Sequence, residues 1–262
     1  LSYELGYGKQ AILTIQSFIT NYPNSLYNEE AKGILSDLLL TTKNYKDALV
    51  IIQSIQHQTP KMKKAYQQIA FLRALEVYSD KNFNEAIRLL NVSLKNPITP
   101  DFTALSYYWM GESNYQLENY KIAFTQYNKF LELANSADIK NANWYLINAN
   151  YAAGYTQFKQ QQYAAAAEYF AEAIAKSKNA TYAEAKNKIY PDANLRNGDC
   201  NFMLKNYAVA LNSYDVIIQN NAPGSDYALY QKGTILGLQN NYEEKIQTLE
   251  KIGSKYPTSA YY

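Results

Sequence analysis

Upstream of the polar pair Glu118-Asn119, the residues Tyr107, Met110, Gly111, Asn114 and Tyr115 fall three and four apart, and downstream Ala123, Tyr127, Phe130 and Leu131 do the same. That spacing is the one-sided stripe of an α-helix, so the pattern predicts two helices joined by a tight turn. The small residues Gly111 and Ala123 would let the helices approach closely, with Tyr120 filling the space beside the turn. Neither helix can bury its stripe alone, which makes stacked neighbours a requirement.

The phrase at this turn recurs. Asn or Gln, an aromatic residue, two variable residues and then usually Ala appear at Asn44–Ala48, Asn82–Ala86, Asn119–Ala123, Gln162–Ala166 and Asn206–Ala210, and Asn241–Lys245 carries Lys in the last place. Between these last positions the steps are 38, 37, 43, 44 and 35 residues, and a degenerate earlier copy ends at Ala11. A period in this range means stacked supersecondary units. The reading is therefore an all-α solenoid of about six helix-turn-helix repeats with partial repeats at both ends, forming a single solenoid over residues 1–262. Turns are expected near Asn44, Asn82, Asn119, Gln161, Asn206 and Asn241.

Helix boundaries carry their own signals. Thr99-Pro100-Asp101 has a capping side chain before a first-turn proline, and Thr181 with Glu184 has the spacing of a capping box. Pro23, Pro60, Pro223 and Pro257 lie twelve or thirteen residues beyond a phrase end, where a second helix should stop. The two long steps place surplus residues in 134–148 and 176–192. Both stretches are rich in Ala and Asn, and both are expected to extend first helices, ten added residues projecting about 15 Å. Pro191 should kink or split the second extension near Tyr190.

Composition narrows the function. The chain is 47% hydrophobic and 18% charged with 10 Gly and 7 Pro, enough apolar surface for a core and little sign of disorder. Its 25 basic and 23 acidic residues show no cluster suited to phosphates, so nucleic acid is not an expected partner. No apolar run approaches the roughly 18 residues of a membrane span. Leu1 and Tyr262 each fall inside a repeat, so the sequence is expected to be a piece of a longer protein, with any leader or lipid anchor outside it.

These residues resemble the tetratricopeptide repeat, whose pattern places a small residue in the first helix, Ala after the turn and an aromatic four residues on. The likeness is fullest at Tyr107, Met110, Gly111, Ala123 and Tyr127. Gly154, Gly198 and Gly233 stand twelve residues before their register positions, where the first two full repeats have Ser36 and Ala74. The second-helix aromatic is Phe170 or Tyr214 in two repeats and Ile52, Leu90 or Leu249 in others. Tyr22-Pro23-Asn24-Ser25-Leu26-Tyr27 and Tyr256-Pro257-Thr258-Ser259-Ala260-Tyr261 resemble the junction of bacterial cell-envelope members, which implies a periplasmic or envelope location.

The resemblance implies a right-handed superhelix (an α-solenoid) and a protein-protein interaction scaffold that binds a partner polypeptide and performs no chemistry. In such proteins the first helices line a concave groove through positions fifteen, eleven and eight before the register residue. Here these positions hold aromatics including Phe71, Tyr78, Tyr108, Tyr115, Tyr151, Tyr155, Phe158, Phe202 and Tyr230. The expected binding patch is Tyr108, Tyr115, Tyr151, Tyr155 and Phe158, flanked by Glu112 and Lys159 and free of core packing. Aromatic rings there suit a peptide; the alternative is a glycan or cell-wall fragment stacked on the same rings, and a third reading is a spacer with no groove ligand. The Lys and Asn carboxylate clamp of chaperone-tail binders is not expected, because Tyr108, Glu112, Tyr151 and Tyr155 occupy its positions.

Catalytic chemistry finds little support. His57, the sole histidine, ends a second helix without a local cluster of partners and is expected to be exposed. Cys200, the sole cysteine, sits inside a first helix and is expected to be a small core residue. Glu243-Glu244 point to different helix faces. No phosphate loop, zinc-protease helix or calcium loop occurs, so no enzyme activity, cofactor or metal site is expected.

Overall fold

A computed structural model describes residues 8–262, and the opening of the degenerate first copy (residues 1–7) lies outside them. The described residues form thirteen α-helices and no strand. Helix α1 (Gly8–Asn21) is the second helix of the partial first copy. Six hairpins follow: α2 (Asn28–Thr41) with α3 (Tyr45–Gln53), α4 (Pro60–Ser79) with α5 (Phe83–Leu94), α6 (Pro100–Gln116) with α7 (Tyr120–Ala134), α8 (Ala142–Lys159) with α9 (Tyr163–Ser177), α10 (Tyr190–Met203) with α11 (Tyr207–Gln219), and α12 (Ser225–Leu238) with α13 (Tyr242–Lys255). All six turns fall where the recurring phrase places them. Each helix of α1–α6 and of α8–α13 packs on its successor, and α2 on α4 and α4 on α6 as neighbouring first helices.

The chain divides into two compact units, one made of the chain up to Glu118 with Glu132–Asp138, the other of Asn119–Leu131 and Ile139–Tyr262. In the first, Leu35, Ile52, Ile69, Leu89 and Leu90 lie at the centre of one continuous core. In the second, Phe170, Ala166 and Ala193 form one cluster and Tyr214, Ile217, Ala228 and Ile235 another.

Three residues join the helices of each hairpin. The middle of this economy is a residue with left-handed backbone just before the cap, namely Lys43, Lys81, Glu118, Gln161, Lys205 and Asn240, with φ between 59° and 62°. In the first turn the Lys43 N–H donates to the Leu40 carbonyl at 3.1 Å and the Asn44 N–H to the Leu39 carbonyl at 2.8 Å, the pair of bonds that closes a helix C-terminus. The same pair recurs at Lys81 and Asn82, Gln161 and Gln162, Lys205 and Asn206, and Asn240 and Asn241. Asn44, Asn82 and Asn241 then turn to the following helix, where each side-chain oxygen accepts the N–H three residues on. One asparagine thus ends one helix and starts the next.

The glycines make the hairpins close. A Cβ on Gly154 would lie 2.8 Å from the Phe170 ring, one on Gly198 2.6 Å from Tyr214, and one on Gly233 2.6 Å from Leu249. In each pair the partner stands sixteen residues on. The first two repeats exchange size along the same spacing: Ser36 faces a smaller Ile52 in register, and Ala74 a smaller Leu90.

Four local expectations are corrected. The surplus in 134–148 does not lengthen a first helix: α7 ends at Ala134, and residues 135–141 form a loop anchored by Ile139, which is buried. In 176–192 the first helix does extend upstream of α10, but Pro191 does not split it: the helical run is continuous over 183–203. Residues Ala185–Ile189 widen into a π-turn, with the Tyr190 N–H bonded to the Ala185 carbonyl. That widening accommodates a residue with no N–H to give and a ring that would press on the carbonyl four back. Thr99 occupies a cap position, yet its side chain caps nothing and its hydroxyl is buried without a partner; its N–H donates instead to Gln67 Oε1 at 2.7 Å. The capping box at Thr181 does not form, because the helix entering the π-turn starts with Glu184 as a residue of helical conformation and no side-chain cap. Pro60 opens α4 behind Thr59, which accepts the Met62 N–H.

Candidate functional site

The expected patch draws on both units. In the first, α6 carries Tyr108, Glu112 and Tyr115. Tyr108 is only 3% exposed, so the exposure expected of it is not found; its ring meets Trp109 edge-on at 5.4 Å. Trp109 in turn packs on Tyr78 of α4 at 4.9 Å, and Phe71 of α4 on Phe102 at 5.2 Å. Helical spacing here serves packing. Glu112 and Tyr115 are half-buried. Burial, and then the negative charge of Glu112, push the Tyr78 phenol up to about 12.

In the second unit, Tyr151, Tyr155, Phe158 and Lys159 come from α8. Phe158 packs edge-on against the turn aromatic Tyr163 at 5.7 Å, and Lys159 is exposed. Tyr151 and Tyr155 lie 5.0 Å apart with Phe170 beneath them, so they too have core contacts that the sequence reading did not give them. Their hydroxyls converge. Both donate to Oδ2 of Asp192 on α10, Tyr151 at 2.8 Å.

One turn along α10, Arg196 lies between two carboxylates. Its Nε is 3.5 Å from Asp192 Oδ1, and its Nη1 donates to Asp199 Oδ2 at 2.5 Å. Asp199 Oδ1 accepts the hydroxyls of Tyr214 at 2.8 Å and Tyr227 at 2.7 Å, while Gln231 donates to the Tyr227 oxygen. The guanidinium also stands 5.8 Å from the centre of the Tyr227 ring, a cation on an aromatic face. Asp192, Arg196 and Asp199, at steps of four and three, share one face of α10, and four tyrosines from α8, α11 and α12 lock it in place.

Burial raises the Asp199 carboxyl, an effect partly offset by the Tyr227 hydrogen bond, the Arg196 charge and Tyr214. Burial disfavours the Arg196 cation, but Asp199, Tyr155 and Asp192 outweigh it and hold the guanidinium charged. The phenols of Tyr151, Tyr155, Tyr214 and Tyr227 are all raised, by burial first and then chiefly by their carboxylate and phenol neighbours. The side chains of Asp192 and Arg196 remain 31% and 26% exposed, so a ligand can reach them. Beside them Tyr230 stacks on Tyr261 at 5.2 Å, both rings about two-fifths exposed.

Register finds part of this cluster. Asp199 stands eleven residues before Ala210, in the same column as Glu112 and Tyr155. Asp192 and Arg196 lie outside the three groove columns, and the D-x-x-x-R-x-x-D spacing on one helix is the signal that would have singled them out.

The remaining candidates hold no assembled chemistry. His57 is exposed, and its backbone N–H donates to Glu29 Oε2 at 3.3 Å. Cys200 is fully buried, and burial followed by the Asp199 charge pushes its thiol up to about 12, the opposite of what a nucleophile needs. Among the described residues no group of three His, Cys, Asp or Glu is placed to hold a metal ion, and no helix is long and apolar enough to cross a membrane.

Hairpins of two helices repeated along the chain, with helix packed on successive helix within each unit, define a helical-repeat protein of the α-solenoid class. Family models described as tetratricopeptide repeat match residues 151–226 and 227–259. Residues 151–259 are therefore a tetratricopeptide-repeat region. Among solved structures it is similar to YrrB, described as a TPR protein with an unusual peptide-binding site, at 20% identity and a TM-score of 0.58 over 74% of this chain and 88% of that one. It is also similar to the apo form of RapI, at 13% identity and a TM-score of 0.58 over 99% and 74%, and to PilF of Pseudomonas aeruginosa, at 16% and 0.50 over 89% and 94%. Such identities speak for the fold alone. No curated protein matches the chain.

Proposed function

We propose that the chain is a non-enzymatic scaffold that holds a partner polypeptide on the first-helix face of its second unit. The observation that carries this reading is the Tyr-Asp-Arg cluster of α8, α10 and α12. A face that existed only to pack would be apolar. This one instead keeps a reachable guanidinium and carboxylate fixed by four phenols. Arg196 uses one N–H in a hydrogen bond to Asp199, which leaves donors for a peptide carbonyl or carboxylate. Asp192 can accept a peptide N–H, and the exposed Tyr230-Tyr261 pair offers an apolar platform beside it.

Tyr151, Tyr155, Phe158 and Lys159 belong to this surface as its wall: the first two orient Asp192, and Lys159 is available at the rim. Glu112 and Tyr115 occupy the equivalent helix in the first unit and are proposed to contact the same kind of ligand there. The peptide-binding site that gives YrrB its description favours a polypeptide over a glycan as the occupant. The YPxSxY junctions support a place in the bacterial envelope.

Two exposed substitutions test the surface without touching the core. Tyr230→Ala and Lys159→Glu together should leave the melting temperature within about 2 °C while weakening capture of the native partner at least tenfold, since a central aromatic anchor is worth about 2 kcal/mol or more. Unchanged capture by the folded variant would place the binding surface elsewhere.

A further inference from the structure

The extra residues of the fifth repeat build a second feature, away from the cluster just described. The segment after α9 and the π-turn before α10 wall a cleft of about 830 Å³, closed on its other side by the end of α11. That volume is in the range of small-ligand and short-peptide sites. The segment is fixed from within. Ala185 and Ile189 are buried against Ile147 of α8, which turns Lys186 and Asn187 of the same turn into the cleft. A π-turn at such a place is a feature that folds retain mostly at functional sites.

Two cations line the cleft, Lys178 and Lys186, both on this segment, and no carboxylate lines it. Glu184, the nearest acid on the segment, is engaged with Lys188 at 3.9 Å. Neither Lys178 nor Lys186 has an ion-pair partner among the described residues. Asn179, Asn187 and Gln219, whose side chains end in amides, line the cleft as well. An amide both donates and accepts, as a peptide bond does, so a row of them can pair with an extended backbone. The helix ends that would repel an anion are covered: the Ile174 carbonyl takes the Lys178 N–H at 3.0 Å, and the Ile217 carbonyl takes the Ala222 N–H and the Ser225 hydroxyl.

We infer that this cleft is a second binding site, for an acidic peptide segment whose Asp or Glu side chains pair with Lys178 and Lys186 while its backbone pairs with the amides. A basic segment would be repelled by the two lysines, and a neutral one would gain nothing from them. The site is independent of the first-helix surface and would let one chain hold two partners, or one partner at two places.

The test is selection from a phage-displayed random dodecapeptide library on the 262-residue chain, beside the Lys178→Gln, Lys186→Gln double variant. Both lysines are exposed, and their melting curves should coincide with the parent's. The parent should enrich Asp- and Glu-rich peptides. Synthetic copies of these should bind at least tenfold more weakly to the double variant and to the parent in high salt, and equally well to Tyr230→Ala. Enrichment without an acidic bias, acidic peptides that bind the double variant equally, or no enrichment above background would each overturn the inference.

Discussion

Lys81 holds a left-handed backbone with φ of 60°, a conformation that costs a residue with a Cβ about 1 kcal/mol or more. The position is needed because three residues must reverse the chain between α4 and α5. Lys81→Gly should therefore raise stability by about 0.5–1 kcal/mol in urea unfolding, the relieved strain exceeding the added freedom of the unfolded chain. A loss would show that the lysine side chain contributes more than the strain costs. No sequence signal marked this residue. Lys, Glu, Gln and Asn stand where glycine would have announced the turn. Tyr108 misleads in the other direction. Its spacing is equally that of a groove residue and of a core residue, and only its 3% exposure decides. Tyr108→Ala should cost about 3–5 kcal/mol, as truncation of a buried aromatic does; a loss below about 1 kcal/mol would return it to the surface.

At the scale of the helix pair, closeness is set by a glycine and the residue sixteen positions on. A methyl group at Gly154 would press on the Phe170 ring. Gly154→Ala should lower the stability by about 1–2 kcal/mol, the overpacking exceeding the better helix propensity of alanine. Adding Phe170→Leu should recover part of the loss, because it recreates the Ala74 and Leu90 pairing of the second repeat. Additive losses in the two changes would refute this pairing. Hairpins were legible in the sequence because phrase and helical spacing agree over six copies and the glycine over four. The surplus in 134–148 was not. Its Asn, Ser and Ala residues suit a frayed helix or a loop alike, and the burial of Ile139, which fixes the loop, is a long-range contact that periodicity does not carry.

For the molecule as a whole, the tyrosine cluster links stability to alkaline pH. Burial and the nearby carboxylates keep the phenols of Tyr151, Tyr155, Tyr214 and Tyr227 protonated in the fold above their ordinary value of 10.0. The unfolded chain releases these protons near pH 10, so it binds fewer protons than the fold at higher pH. Stability is then present in full below about pH 10 and falls as pH rises beyond it. Melting temperature should drop steeply above pH 10, and less steeply in Tyr151→Phe with Tyr155→Phe; parallel curves would deny the coupling. The cluster itself was only half legible. Tyr151 and Tyr155 follow from register, but Asp192 comes to them from 41 and 37 residues away, across a turn, a helix and the π-turn.

The central claim is that the first-helix face of the second unit holds a polypeptide, and site-specific photo-crosslinking in the producing cell tests it most directly. A photoreactive residue in place of Tyr230 should yield discrete protein adducts that a protease removes and a glycosidase does not. The same group in place of exposed Lys251 on α13 should yield none. Equal adducts at both positions, or adducts at Tyr230 that only a glycosidase removes, would contradict the account.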